Sequence, residues 1–182
     1  LGQKYTIDKS RIVFFSEASM EDIKAENIKA SSLFNVSSGE VVFAIPIRDF
    51  QFDKALMQEH FNEKYLESDK FPKAIFQGNF LNFKMDEVGE QVVNASGKLT
   101  IHGVANEINF PGTIEVIPGK LVARSKFVIK LEDYKIKIPQ LLWQNIAEEV
   151  EVTGESTYKP PRTYTPLFFS YWLSSAWPQL TS

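Results

Sequence analysis

Apolar and polar residues alternate at every second position along much of this chain, the pattern of strands with one buried face. In residues 39–52 the apolar set is Val41, Phe43, Ile45 and Ile47. Four later stretches continue the alternation, and the side chains that we expect to point inward are Ala74, Phe76 and Phe80; Val93, Ala95, Leu99 and Ile101; Ile108, Phe110, Ile114 and Val116; and Leu121, Ala123, Phe127, Ile129 and Leu131. Short turns such as Pro118-Gly119 separate them, so strands that are neighbours in sequence should pair. The pattern predicts a sandwich or an up-and-down antiparallel barrel.

The other stretches are less regular. Residues 4–15 indicate a strand that is broken by a bend at Asp8-Lys9-Ser10. Residues 19–32 suit either a helix or a strand with its turn, and the pattern does not choose between them. Residues 53–65 have helical spacing with Asp53 as the expected N-cap, and predict a short helix lying against or across a barrel mouth. A last strand is expected in residues 147–158.

Composition narrows the class of protein without indicating a reaction. The 182 residues suit one domain, and 43% hydrophobic with 24% charged residues are typical of a soluble globular chain. The net charge of −3, with lysines scattered among acidic residues, argues against a nucleic-acid partner. The absence of cysteine excludes disulfides, thiolate catalysis and cysteine-ligated zinc. No uncharged apolar run is as long as a membrane span.

Candidate catalytic groups are few, because the histidines are His60 and His102 alone. His60 and Glu63 share one face of the predicted helix, but two ligands do not make a metal site, and a solvated helix face is the favoured interpretation. His102 precedes Gly103 at a strand end, where an imidazole often bonds turn backbone and fixes the register; the alternative is a rim position that donates to a ligand head group. No hydrolase, P-loop or dinucleotide-binding motif occurs. We therefore expect no catalytic residue and no metal site.

Residues 65–104 carry the most specific pattern in the chain. Their order reads LxSxxFPxAxFxG followed by GxLTIHGV, from Leu66, Ser68, Phe71, Pro72, Ala74, Phe76, Gly78, Gly97 and Leu99 to Val104. This order resembles the YceI-like family, and residues 4–15 resemble that family's opening strand. The resemblance implies that residues 1–159 form an all-β, lipocalin-like antiparallel β-barrel of about eight strands with one or two short helices. It also implies a bacterial protein that binds a polyisoprenoid or another long apolar lipid and is periplasmic or secreted, its signal peptide removed.

The fifteen phenylalanines raise the question of whether the barrel is filled or open. Small residues on the inward faces, among them Gly78, Ala95 and Gly97, favour a lumen wide enough for one chain, although glycine can also mark barrel bends. The predicted ligand-binding wall is Phe14, Phe43, Ile45, Phe76, Phe80, Ala95, Leu99, Ile101, Phe110, Ala123, Phe127 and Ile129. Contacts to a head group are expected at the mouth, from His60, Asn62, Tyr65 and Trp143.

The hypothesis is thus the binding, storage or transport of a long apolar lipid, an isoprenoid quinone or polyisoprenoid before a fatty acid or amide, with no further cofactor. Two alternatives stay open. One is a small secreted hydrolase or metal-dependent enzyme with a site at the mouth, and the other is a barrel with a filled core that serves as an interaction or stress-response module. Transient membrane contact without insertion and pairing into a homodimer are further expectations.

Residues 160–182 lie outside the resemblance. They contain four prolines, six aromatic residues and Arg162 as the single charge. A cloning-derived or frameshifted extension packed on an apolar surface is the first interpretation. A native segment that seals a barrel edge or docks on a partner is the second. Membrane insertion is the weakest, because the run is short and interrupted by proline.

Overall fold

A computed structural model describes residues 3–17, 22–138 and 148–162, and these ranges contain ten antiparallel strands and one α-helix. The strands are β1 (Lys4–Ser16), β2 (Ile23–Asn27), β3 (Ser31–Asn35), β4 (Glu40–Pro46), β5 (Gln51–Phe52), β6 (Lys73–Leu81), β7 (Gly89–Ile101), β8 (Val104–Ile117), β9 (Lys120–Lys130) and β10 (Glu149–Lys159). Helix α1 spans Ala55–His60 and runs into a π-helical turn at Phe61–Tyr65, and 3₁₀ turns occupy Ile47–Asp49 and Leu131–Tyr134. Most of the described residues are therefore in strands, as the alternation predicts.

Eight of the strands close into a barrel in the order β1, β3, β4, β6, β7, β8, β9 and β10, and β10 pairs back onto β1. The long strand β1 pairs with β3 at Lys4–Thr6 and with β2 at Ile12–Ser16, so its two halves have different neighbours. Strand β5 extends β2 beyond the barrel. The predicted all-β, lipocalin-like barrel of eight strands is confirmed. In the described ranges, no helix combines the length and the apolar character needed to cross a membrane.

Strand β1 is bent where the sequence indicates. Its register on β10 shifts between Ile7 and Lys9, so Asp8 forms a β-bulge. Residues 19–32, for which the sequence leaves helix and strand open, contain β2 and the start of β3. Asn27 connects this region to the barrel by hydrogen bonds. Its buried amide donates to the carbonyl of Pro46 at 2.8 Å, while its side-chain oxygen accepts from the backbone of Lys29 at 2.8 Å.

The expected N-cap of α1 is wrong. Lys54, not Asp53, occupies that position, and its side chain makes no capping hydrogen bond. The side-chain oxygen of Gln58 instead accepts a bond from the backbone N–H of Phe52 at 3.2 Å, which links the helix to the strand before it. The positions expected to share one helix face include Leu56, Met57 and His60. Met57 and His60 are buried, but Leu56 is 58% exposed, so this face is buried only in part.

One end of the barrel, which we call the base, is densely packed. Its fully buried aromatic side chains are Phe34 and Tyr158, whose rings lie 5.7 Å apart. Phe34 also contacts Phe80 and Phe83, with ring centres 5.0 and 5.2 Å away. The hydroxyl of Tyr158 forms a 2.7 Å hydrogen bond with that of Ser32, and burial raises the pKa of Tyr158. The base is thus a filled core with its polar groups satisfied.

The opposite end, which we call the mouth, carries α1 and the 3₁₀ turn at Leu131–Tyr134. Strands β7 and β8 meet here in a two-residue turn, where His102 and Gly103 have φ of 53° and 72°. Two positive φ values are typical of the tight hairpin turns that match strand twist. Residues 139–147 and 163–182, and with them Trp143 and nearly all of the C-terminal tail, lie outside the described residues, so the hypotheses on the tail stay predictions.

Candidate functional site

Three cavities lie end to end inside the barrel, with volumes of about 100, 130 and 70 Å³ from the base towards the mouth. Their linings overlap. The first and second cavities share Ile12, Ile45, Leu99, Phe127 and Val152. The second and third share Phe14, Phe61, Leu66, Leu131, Ile136 and Val150. We call this series of adjoining cavities the tunnel; it runs along the barrel from above the base to the inner side of α1.

All twelve residues of the predicted wall line the tunnel. The first cavity is lined by Phe43, Phe76, Phe80, Ala95, Phe110 and Ala123, the second by Phe14, Ile101 and Ile129, and both by Ile45, Leu99 and Phe127. Alternation finds these positions because inward side chains recur at every second residue of a strand. It misses Phe50, Phe61 and Leu66, which reach the wall from irregular segments between strands.

The small residues divide into two groups. Ala95 and Ala123 line the first cavity, where their size leaves space. Gly78 and Gly97 face each other on β6 and β7 and have another role. A Cβ atom on Gly97 would lie 2.2 Å from the carbonyl oxygen of Gln77, so these glycines permit close approach of two backbones. The expectation that Gly78 and Gly97 keep the lumen open is therefore corrected.

Gly112 and Gly154 line the first cavity in their place. Both pair with Ser125, from opposite sides, so a row of three small residues crosses β8, β9 and β10. A Cβ on Gly154 would meet only the hydroxyl of Ser125, at 3.3 Å, a tight contact with a small side chain rather than with backbone. Sequence alone does not separate these glycines from Gly78, because the difference arises from the pairing of the strands.

The predicted mouth residues are distributed unevenly. Tyr65 lines the third cavity and is buried. His60 is buried rather than solvated, with its ring centre 6.4 Å from that of Tyr65. The amide of Asn62 donates to the carbonyl of Gln58 at 3.0 Å, within the helical segment. Neither His60 nor Asn62 is among the described residues that line the tunnel, and Trp143 lies outside the described residues.

Polar chemistry along the tunnel is limited to neutral hydroxyl groups and two long basic side chains. Ser125 and Ser156 line the first cavity, and Ser16 lines the third. Arg124 and Lys130 contribute to the lining, but both residues are exposed to solvent. Within the described ranges, no carboxylate or histidine lines the tunnel, and no group of three potential metal ligands occurs. Such a wall suits an uncharged chain and offers no acid–base pair.

His102 joins three segments at the mouth rather than lining the tunnel. Its Nε2 donates to the carboxylate of Glu67 at 2.6 Å, and its Nδ1 lies 3.1 Å from the carbonyl oxygen of Tyr134. The bond from His102 lowers the pKa of Glu67. The ring of Phe71 stands edge-on, 5.0 Å from the imidazole. These contacts match a structural role for His102 rather than a role in binding a ligand head group. Its partners lie beyond its own turn.

A closed antiparallel barrel with an apolar tunnel along its axis defines a lipocalin-like binding protein fold. The chain belongs to the YceI-like family, since the model of the YceI-like domain matches residues 5–158. No curated protein sequence matches the chain closely enough to count as a relative.

Solved structures share this fold at low sequence identity. A polyisoprenoid-binding domain from Saccharophagus degradans, implicated in plant cell wall breakdown, is 17% identical with a TM-score of 0.76, over 86% of this chain and 98% of that one. BcnA of Burkholderia cenocepacia is 18% identical with a TM-score of 0.68, over 81% and 95%. The YCEI protein of Campylobacter jejuni is 15% identical with a TM-score of 0.60, over 81% and 90%.

Proposed function

We propose that this protein binds a long apolar lipid in the tunnel, with a polyisoprenoid or isoprenoid quinone as the preferred class and a fatty acid or fatty amide as the second. The observation that carries the proposal is the continuous apolar wall through three cavities. Family membership supports it, as does the S. degradans domain, which shares the fold and is described as polyisoprenoid-binding.

Binding would be driven by burial of the chain. Each methylene transferred from water contributes about 0.8 kcal/mol, so a long ligand needs few polar contacts. The neutral hydroxyls of Ser125 and Ser156 are compatible with an alcohol or quinone oxygen. Cavities of about 100 and 130 Å³ are smaller than the roughly 300–1,000 Å³ of common ligand sites, so loading must displace side chains along the tunnel.

Storage or transport of the lipid, rather than its chemical conversion, is the role we propose, because the described part of the tunnel lining contains neither a carboxylate nor a histidine. No cofactor is needed for it. We propose the periplasm or the cell exterior of a bacterium as the location, with transient contact to a membrane that supplies or receives the lipid. Pairing into a homodimer remains a proposal of the same kind.

The test is organic extraction of the purified protein followed by mass spectrometry of the extract. A long-chain isoprenoid or acyl lipid at close to one molecule per chain supports the proposal and identifies the class. An extract without such a lipid, from protein that also fails to take one up from vesicles, would refute it. Extracting Ala123→Phe protein in parallel separates lipid held in the tunnel from lipid bound to the surface.

A further inference from the structure

The barrel wall is incomplete along one half of a single strand pair. Strands β8 and β9 pair from Ile117 and Lys120 at their turn as far as Gly112 and Ser125. Beyond that point residues 104–111 and 126–130, all of them described, have no ladder partner across the gap. Both strands stay paired on their other sides, β8 with β7 and β9 with β10. We call this unpaired interval the seam; at about 3.3 Å per residue, its five residues on β9 span roughly 17 Å and its eight on β8 roughly 26 Å.

Side chains, not backbone, connect the two sides of the seam. The rings of Phe110 and Phe127 stack across it, with centres 4.1 Å apart and planes at 20°. At its mouth end the amide of Asn106 donates to the carbonyl of Asp133 at 2.7 Å. Widening the seam therefore separates an aromatic contact and a hydrogen bond from a side chain, and breaks no backbone ladder. The edge N–H and C=O groups remain available to water or to a polar head group.

The tunnel lies close to the outer surface beside the seam. Thr113 and Arg124 pair with each other and lie one position from the inward residues Gly112 and Ser125, yet they also line the first cavity. A groove of about 580 Å³ on the outside of the barrel includes Pro111 and is lined in part by the same residues as that cavity, namely Gly112, Thr113, Arg124, Ser125 and Gly154. The wall between cavity and groove is thus thin, because its central row lacks large side chains.

Charge in this groove is already compensated. Arg124 forms 3.0 Å ion pairs with Glu115 and Glu155, and Lys126 lies 3.2 Å from Glu151. Apolar surface is exposed close by, at Val92, which is 76% exposed, and Val128, which is 55% exposed. An uncharged head group on an apolar chain fits this surface better than a phosphate does.

We infer that the seam is a lateral portal, through which an uncharged long-chain lipid enters and leaves the tunnel sideways. The inference rests on the proposed function. Movement of Phe110 and Phe127 opens the route and also widens cavities that are small when the seam is shut. A chain that passes sideways buries its length progressively, whereas a chain threaded from the mouth must pass the aromatic cluster of Phe14, Phe50 and Phe61.

Covalent closure of the seam tests this inference. The chain has no cysteine, so thiols introduced as Asn109→Cys with Val128→Cys are the only ones to react. Both side chains are exposed, and they would be opposite if the β8–β9 register continued. A series of bis-maleimides of increasing length identifies the shortest reagent that bridges the two introduced cysteines. The matched control is Ile117→Cys with Lys120→Cys, an observed pair on the closed half of the same strands in which neither residue is buried.

Each bridged protein is incubated with phosphatidylcholine vesicles that contain ubiquinone-8, and the vesicles are then removed. The quinone bound to the protein after increasing incubation times gives the rate of uptake. Bridging 109 to 128 should slow uptake at least about tenfold, and bridging 117 to 120 should leave it within about twofold of wild type. Protein loaded before bridging should keep its quinone. Equal rates in the two bridged proteins would overturn the portal and leave lipid binding intact. A wild-type protein that never binds the quinone would instead overturn the proposed function.

Discussion

The base and the mouth half of the barrel are built from the same alternating strands, yet one is filled and the other is open. At the base, Phe34 and Tyr158 are fully buried, and β8 and β9 pair to their turn. Towards the mouth, Phe110 and Phe127 line a tunnel and face each other across an unpaired seam. The difference teaches that alternation sets which side chains point inward. Residue size and strand pairing then decide whether the interior is solid.

The largest expected effect is a loss of stability at Gly97, where the backbones of two wall strands approach each other closely. Gly97→Ala should lower the free energy of unfolding by about 2–4 kcal/mol, because its Cβ would lie 2.2 Å from a backbone carbonyl. Gly154→Ala is the control, since its Cβ enters the tunnel, and it should cost less than about 1 kcal/mol. Urea denaturation gives both values. Equal losses in the two variants would contradict the distinction between a close-approach glycine and a tunnel glycine.

The next prediction compares large side chains placed inside the tunnel with one placed on the outer face of the barrel. Ala95→Phe or Ala123→Phe should abolish lipid retention and cost about 1–3 kcal/mol of stability through overpacking. Val42→Phe, on the exposed face of β4 and away from the seam, should change neither quantity appreciably. Lipid content after extraction and the urea midpoint are measured on the same preparations. Full retention in both blocked variants would show that these two alanines do not border the ligand.

At the base, variants should affect stability without affecting lipid. Tyr158→Phe removes the 2.7 Å bond to Ser32 and should cost about 1 kcal/mol. A double-mutant cycle with Ser32→Ala isolates the energy of that bond. Uptake of ubiquinone-8 should stay at the wild-type level in all three proteins. A parallel loss of uptake would mean that the base and the tunnel are energetically one unit.

The smallest expected effect is a dependence on pH at the mouth. Because His102 lowers the pKa of Glu67 below its ordinary 4.5, the ionised carboxylate stabilises the folded state above that pH. This contribution is lost as the pH falls through the lowered value. Glu67→Gln should therefore weaken the decline of Tm with falling pH, while the exposed Glu63→Gln should not. Identical Tm profiles for wild type and Glu67→Gln would contradict a stabilising role.

Much of the fold is predictable from sequence, because inward positions recur at every second residue and the motif around Phe71-Pro72 is specific. Phe110 and Ala123 are assigned to the wall on that basis, and both line the tunnel. The seam is not predictable in this way. Ile108, Phe110, Phe127 and Ile129 alternate as regularly as paired residues do, so nothing in the pattern marks where a ladder ends.

The mouth shows a second reason why the sequence does not predict every position correctly. Residues 53–65 have a helical pattern, but which face becomes buried depends on the strands beneath. Leu56 is consequently exposed, while His60 is buried. The role of a glycine depends in the same way on its partner strand, which is why Gly97 and Gly154 look alike in the sequence and differ in the barrel.

Native mass spectrometry of the intact protein after incubation with vesicles that contain ubiquinone-8 tests the central claim most directly. The account predicts a complex of one quinone per barrel for the wild type, and the bare protein mass for Ala123→Phe. Bare protein mass for the wild type, or equal quinone binding by both proteins, would contradict a lipid-binding tunnel.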